Sequence, residues 1–272
     1  MIRLRPYQTA CVEAVLKAWE TQTSALVVMA TGVGKTVTFS EIIRRGNDKN
    51  GKRSLVIAHR QELIWQARKT LKAFGLQTAV EMGGHRANLG WFFNPDVIVG
   101  TVQTQAVGCG GNGRMTRFDP DEFGTLVIDE AHHYGHQGIY EKTLSWYRRN
   151  PDLKILGVTA TPDRLDKQNI VGKLGGIVYE FNTLDAINGG WLVPVRQRMI
   201  MATSIDLSNV KTTAGDLNPG ELAEVMEGER PLQQVAEPLL SETGDKRTIV
   251  FTASVRQAAR LAEILNRSKP GK

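Results

Sequence analysis

Leu26-Val27-Val28-Met29-Ala30-Thr31-Gly32-Val33-Gly34-Lys35-Thr36 reads as a strand, a tight turn and the first residues of a helix. The apolar, β-branched opening fits a strand buried on both faces of a parallel sheet. Gly32 and Gly34 can take positive φ and let the backbone approach an anion closely. Successive N–H groups and the helix start then face phosphate. In such a loop the lysine, Lys35, binds the β- and γ-phosphates, and the hydroxyl of Thr36 holds Mg²⁺. The strict pattern has a glycine where Met29 stands. A chance Gly-Lys-Thr before a helix is the competing reading, and the apolar strand ahead of it weighs against chance.

Lys35 has a counterpart 94 positions further on, in Leu126-Val127-Ile128-Asp129-Glu130-Ala131-His132. Two carboxylates close an apolar strand there, and open α/β sheets bind ligands at the carboxyl ends of their strands. Asp129 is placed to hold Mg²⁺, and Glu130 to polarise an attacking water as general base. A plain helix cap is the alternative for the pair. His132, His133 and His136 invite a zinc reading, but no cysteine or third ligand accompanies them. His132 is read as a coupling residue, and His133 and His136 as surface polar residues.

Further strands are expected at 54–58, 96–100, 125–128, 155–158 and 248–251. Helices are expected at 6–20, 35–45, 61–74, 138–148 and 255–265. The alternation implies an α/β fold with right-handed crossovers. The composition changes near residue 205: residues 206–245 hold nine acidic residues and only Lys211 and Arg230 as bases. This predicts a lobe over 1–204, an acidic connector over 205–246, and the opening of a second lobe over 247–272. The net charge of +6 is local. Residues 1–75 carry thirteen basic and five acidic side chains, which points to a polyanion or to a merely solvated surface. No apolar run reaches membrane length, and the N-terminus has no apolar signal core, so a cytoplasmic protein without membrane contact is expected. Cys11 and Cys109 make no disulfide framework.

The phosphate loop together with Asp129-Glu130-Ala131-His132 resembles the superfamily 2 helicases and translocases of the DEAH-box type. Other segments match that family in order. Leu4-Arg5-Pro6-Tyr7-Gln8 resembles the Q-motif, Ala58-His59-Arg60-Gln61-Glu62-Leu63 motif Ia, and Gly100-Thr101-Val102-Gln103-Thr104 a later strand-contacting motif. Thr159-Ala160-Thr161-Pro162 resembles motif III, and Ile249-Val250-Phe251-Thr252 motif IV. The start and the Gly190-Trp191-Leu192-Val193-Pro194 segment look closest to RadD-like and UvsW-like DNA helicases and to motor subunits of restriction enzymes.

The resemblance implies a RecA-like P-loop NTPase lobe plus the start of a second one. It implies ATP and Mg²⁺ as cofactors, held by Arg5, Gln8, Thr31, Gly32, Val33, Gly34, Lys35 and Thr36 with Asp129. Gln8 reads adenine, Glu130 activates water, and His132, Thr159 and Thr161 couple nucleotide state to the strand. Arg60, Thr101 and Gln103 face the phosphates of a nucleic acid, DNA ahead of RNA. A second helicase lobe is the other implied partner. Motifs V and VI do not occur within these 272 residues, so the chain alone is expected to turn ATP over slowly. A duplex translocase and a binding module without turnover are the rivals, and a small-molecule kinase is disfavoured by the later motifs.

The bland readings are a helix cap or salt bridge for Arg60 and an N-cap for Thr101. Trp65 shares a helix with Leu63, Ile64 and Leu71 and is expected to pack it on the sheet. Trp65, Trp91 and Phe92 could also stack bases, and the glycine-rich stretch with Arg114 and Arg117 could reach a nucleic-acid strand, a merely tolerant loop being the preferred reading.

Overall fold

The computed structural model describes residues 2–88, 94–107, 113–135, 138–161, 170–201, 203, 205–213 and 216–268. The expectations for Trp91, Phe92, Cys109, His136 and Pro162 lie outside the described residues. The chain divides into two compact units, Met1–Pro194 and Val195–Lys272.

The first unit runs α1 (Pro6–Ala18), β1 (Ser24–Met29), α2 (Lys35–Asn50), β2 (Arg53–Ala58) and α3 (Gln61–Ala73). It continues through β3 (Thr78–Glu81), β4 (Val97–Thr101), α4 (Val102–Ala106), β5 (Phe123–Asp129) and α5 (Ile139–Tyr147). Then come β6 (Lys154–Thr159), α6 (Ile170–Lys173), β7 (Ile177–Phe181) and α7 (Thr183–Asn188). Seven parallel strands lie in the order β3-β4-β2-β5-β6-β1-β7.

Strand side chains alternate between two cores, because successive Cβ atoms point to opposite faces. Ala25, Val27, Met29, Val56, Val127 and Val158 pack with Val12 and Val15 of α1, Phe39 and Ile43 of α2, and Ile64 and Leu71 of α3. Leu26, Leu55, Ile57, Leu126, Ile128 and Ile155 pack with Val102 of α4 and Tyr140, Leu144 and Tyr147 of α5. Burial on both faces is why the central strands read as unbroken apolar runs. β3 and β7, which the apolar runs did not mark, are the two edges of the sheet. An edge needs less apolar cover, and β7 is exposed or half-buried along its whole length.

The register sets the working rim. Val28 of β1 lies opposite Thr159 of β6, and Val158 of β6 lies opposite Asp129 of β5. With neighbouring strands about 4.8 Å apart, the ends of β1 and β5 are about 10 Å apart, within side-chain reach.

The second unit is mainly helical: α8 (Pro219–Met226), α9 (Glu229–Thr243) and α10 (Val255–Ser268), beside a two-residue pairing of Thr212–Thr213 with Asp216–Leu217. Leu232 and Ala236 of α9 bury against Leu261 of α10. Thr248–Phe251, expected as a strand, is not one. A strand needs a paired neighbour, and among the described residues none bonds to it.

Gly100 shows how tightly the sheet is drawn together. A Cβ there would lie 2.6 Å from the backbone oxygen of Glu81 on the neighbouring strand. Gly100→Ala is expected to destabilise the fold by about 1–3 kcal/mol, as overpacking does, and thermal unfolding measures it. An unchanged melting temperature would contradict this register.

Candidate active site

β1 ends at Met29, and the chain turns through Gly32 and Gly34 at φ of 87° and 88° before α2 begins at Lys35. Both angles lie in the region that favours glycine. No side chain caps the start of α2, which leaves its first amide groups open toward an anion. Lys35 Nζ reaches across β6 to within 3.4 Å of Glu130 Oε1.

Asp129 closes β5 and is buried. Its Oδ1 accepts the Glu130 amide at 3.0 Å. Glu130 is the one non-glycine with positive φ among the described residues, at 53°. That turn is sterically costly for a residue bearing a Cβ, and it directs the two adjacent carboxylates differently. The far oxygen of Glu130 lies 3.3 Å from His132 Nδ1. The same nitrogen lies 3.0 Å from Thr159 Oγ1. The Thr159 hydroxyl in turn accepts the Thr161 amide at 3.2 Å. The structure thus brings together Lys35, Asp129, Glu130, His132, Thr159 and Thr161, which the sequence singled out separately.

The two carboxylates titrate differently. Burial first, and then the charge of Glu130, push Asp129 up to about 6, against the opposing pull of Lys35. The His132 hydrogen bond and the Lys35 charge hold Glu130 below the usual carboxylate range, although burial works against them. Burial therefore disfavours the ionised form of Asp129, while His132 and Lys35 hold Glu130 in its ionised form.

The N-terminal segment is built onto the phosphate loop. Gln8 Nε2 and the Tyr7 hydroxyl both donate to the Val33 carbonyl, at 3.0 and 2.8 Å. Gln8 Oε1 accepts the Arg5 amide at 2.9 Å. One N–H and one lone pair of the Gln8 amide are left by these two bonds. Tyr7 stacks on Phe181 at 4.4 Å, and the Arg5 guanidinium lies over Trp191 at 5.1 Å. Thr31, Gly32 and Arg5 are exposed, while Thr36 is half-buried at the head of α2. Tyr7 and Trp191 lay in recognised segments, but no pattern marked their part in the site.

On the same rim, Arg60 is exposed and donates to His59 Nε2 at 3.1 Å. Gln103 Nε2 donates to the His59 carbonyl at 3.3 Å. Thr101 is the N-cap of α4, accepting the Thr104 amide at 3.4 Å, as the bland reading expected.

Three expectations are corrected. His133 is not a free surface residue: it is half-buried, and its ring packs at a tilt against His59, centroids 3.7 Å apart, and against His132 at 4.2 Å. Trp65 does not pack α3 on the sheet. Ile64, Ala67 and Leu71 do so, and Trp65, one position off that stripe, is 39% exposed. Arg114 and Arg117 are not part of a tolerant loop. They clamp the fully buried carboxylate of Glu81 at 2.9 and 2.8 Å. A lone glutamate in a short edge strand gives no sequence signal of such a role.

This fold and site define a RecA-like P-loop protein. Residues 1–164 match the family described as Type III restriction enzyme, res subunit, and the chain belongs to it. It is 32% identical over 239 residues to "Putative ATP-dependent helicase IRC3" of Saccharomyces cerevisiae, covering 82% of this chain and 32% of that protein. It is 26% identical over 279 residues to the Type I restriction enzyme EcoAI endonuclease subunit of Escherichia coli, covering 98% of this chain and 31% of the relative. The chain thus spans about a third of these relatives' length. The bacteriophage T4 UvsW helicase matches in fold with a TM-score of 0.50 at 18% identity, over 66% of this chain and 60% of that one. The Pyrococcus furiosus Hef helicase domain matches at 0.53 and 19%, over 98% and 53%. Among the described residues, no helix is long and apolar enough to cross a membrane.

Asp129 yields a pH signature. Its folded value of about 6 exceeds the ordinary 3.8. The stability it contributes is therefore complete below 3.8 and lost as the pH rises through about 6. Asp129→Asn is expected to stabilise the ligand-free chain at pH 8 by up to about 3 kcal/mol and to change it little at pH 4. Denaturant unfolding at both pH values checks this, and equal effects at the two would contradict it.

Proposed function

We propose that residues 1–204 are the ATP-binding lobe of an ATP-dependent helicase or translocase that couples ATP hydrolysis to movement along nucleic acid, DNA in particular. The observation that carries the reading is the approach of Lys35 to Glu130 at 3.4 Å, beside the buried Asp129. A phosphate-binding lysine and a water-activating carboxylate stand within reach of one reacting group, and the relatives' names supply the class of work.

Each side chain has a task in this reading. Arg5 and Gln8 take the adenine end of ATP. Thr31, Gly32, Val33, Gly34 and Lys35 cradle the phosphates. Lys35 turns from Glu130 to the γ-phosphate, whose negative charge competes for it. Released from Lys35, Glu130 accepts the proton of the attacking water, and the His132 contact keeps its other oxygen oriented. Thr159 and Thr161 relay the change from His132 toward the rim, where Arg60, Thr101 and Gln103 hold the strand backbone without reading sequence.

Mg²⁺ fits the donor set. The Thr36 hydroxyl and Asp129 are hard oxygen donors, and the raised Asp129 value reflects a charge that a cation would relieve. Bound there, Mg²⁺ would neutralise phosphate charge during hydrolysis. A second lobe closing over ATP completes the cycle, with residues 205–246 as connector and 247–272 as its beginning.

A duplex translocase is the second reading, favoured by the restriction-enzyme relative, and it differs by moving on duplex DNA without separating strands. Steady-state hydrolysis by the full-length protein with single-stranded or duplex DNA tests the proposal. Turnover is expected to rise with DNA, and Glu130→Gln to lower kcat at least about 100-fold while nucleotide still binds. Undiminished hydrolysis in that variant would overturn the role of Glu130.

A further inference from the structure

Helix α3 leaves the working rim just after Arg60 and runs down the outside of the sheet. Its inner stripe, Ile64–Ala67–Leu71, is buried. Its outer stripe is Trp65–Arg68–Lys69–Lys72, at the i, i+3, i+4, i+7 spacing that lines one helix face. Glu62 is the only acid in the helix. Trp65 sits one turn below the rim and is 39% exposed. A solvated basic face needs no tryptophan, and burying this one would have taken a shift of a single position.

The exposed ring is held in place. The Arg68 guanidinium lies over it at 5.5 Å, and the His85 ring meets it edge-on at 5.2 Å with an interplanar angle of 88°. His85 belongs to the short loop after β3, and that loop is fixed by a buried ionic cluster. Glu81, wholly buried, takes Arg114, Arg117 and the Ala87 amide at 2.9, 2.8 and 2.9 Å. Arg114 also donates to the carbonyls of Gly83 and His85 at 2.5 and 3.1 Å. A buried carboxylate with two arginines carries a heavy desolvation cost. Here it holds the backbone that sets His85 against Trp65.

We infer that Trp65 is a base-stacking platform for single-stranded nucleic acid leaving the rim, with Arg68, Lys69 and Lys72 flanking its phosphates. Arg68 and His85 fix the plane of the indole, so a base loses entropy on stacking but the protein does not. Stacking on an aromatic ring is tolerant of sequence, as suits a moving motor. The basic stripe beyond the ring matches the spacing charge of a backbone.

The inference rests on reading the rim as a nucleic-acid site, and the test separates the two. Fluorescence anisotropy measures binding of labelled oligothymidylate, and of an abasic strand of equal length, to the 272-residue chain. Wild type should prefer the strand that has bases. Trp65→Ala should weaken oligothymidylate binding about tenfold and leave abasic binding unchanged, erasing the preference. Trp65→Phe should keep most of it, and the unfolding transition of each variant reports folding. Normal oligothymidylate binding by Trp65→Ala, while Arg60→Ala is impaired on both strands, would overturn the platform and leave the rim reading standing. No binding of either strand by wild type would overturn both.

Discussion

Lys35 and Glu130 meet across a strand that contributes neither of them. That single approach constrains most of the lobe. β6 must lie between β1 and β5, in a register that ends all three strands at one level. The lysine must open its helix directly after a glycine turn, so that no capping side chain takes its place at the amides. The glutamate must leave the strand by a turn that its Cβ disfavours, at φ of 53°. Strain of this kind costs on the order of 1–3 kcal/mol and persists only where the surroundings over-determine it. Here Asp129 Oδ1, Lys35 and His132 do so.

The same arrangement sets the two neighbouring carboxylates apart. Lys35 pairs with Glu130 at 3.4 Å, so one carboxylate is held ionised while burial raises its neighbour. A phosphate that takes Lys35 and a cation that takes Asp129 would each relieve what the other aggravates. Nucleotide and metal are therefore expected to bind together. The chain of contacts from Glu130 through His132 to Thr159 and Thr161, and from His132 through His133 to His59, ends beside Arg60 and Gln103. Chemistry and rim are physically continuous.

What the residues disclosed follows from where local pattern carries information. β1, β2, β4, β5 and β6 were legible because burial on two faces leaves an unbroken apolar run. β3 and β7 were not, because edge strands can be short and half-wet. The glycine turn between β1 and α2 and the strand end at Asp129 were legible because each is set by adjacent residues. Trp65 was misread because its neighbours are apolar, and a shift of one position on a helix turns a side chain by about 100°. Glu81 with Arg114 and Arg117 escaped notice because its partners are more than thirty positions away in sequence. The strand expected at Thr248–Phe251 failed for the converse reason: local propensity was right for a strand, but pairing is not a local property.

In the proposed function, Lys35 is a phosphate-binding charge held in reserve by Glu130. Equilibrium titration of a fluorescent ATP analogue with Mg²⁺ into wild type and Lys35→Ala addresses it directly. Lys35 is half-buried at the head of α2 and belongs to neither apolar core. The predicted result is loss of nucleotide binding in the variant with an unchanged unfolding transition. Equal affinity in the two proteins would contradict the claim.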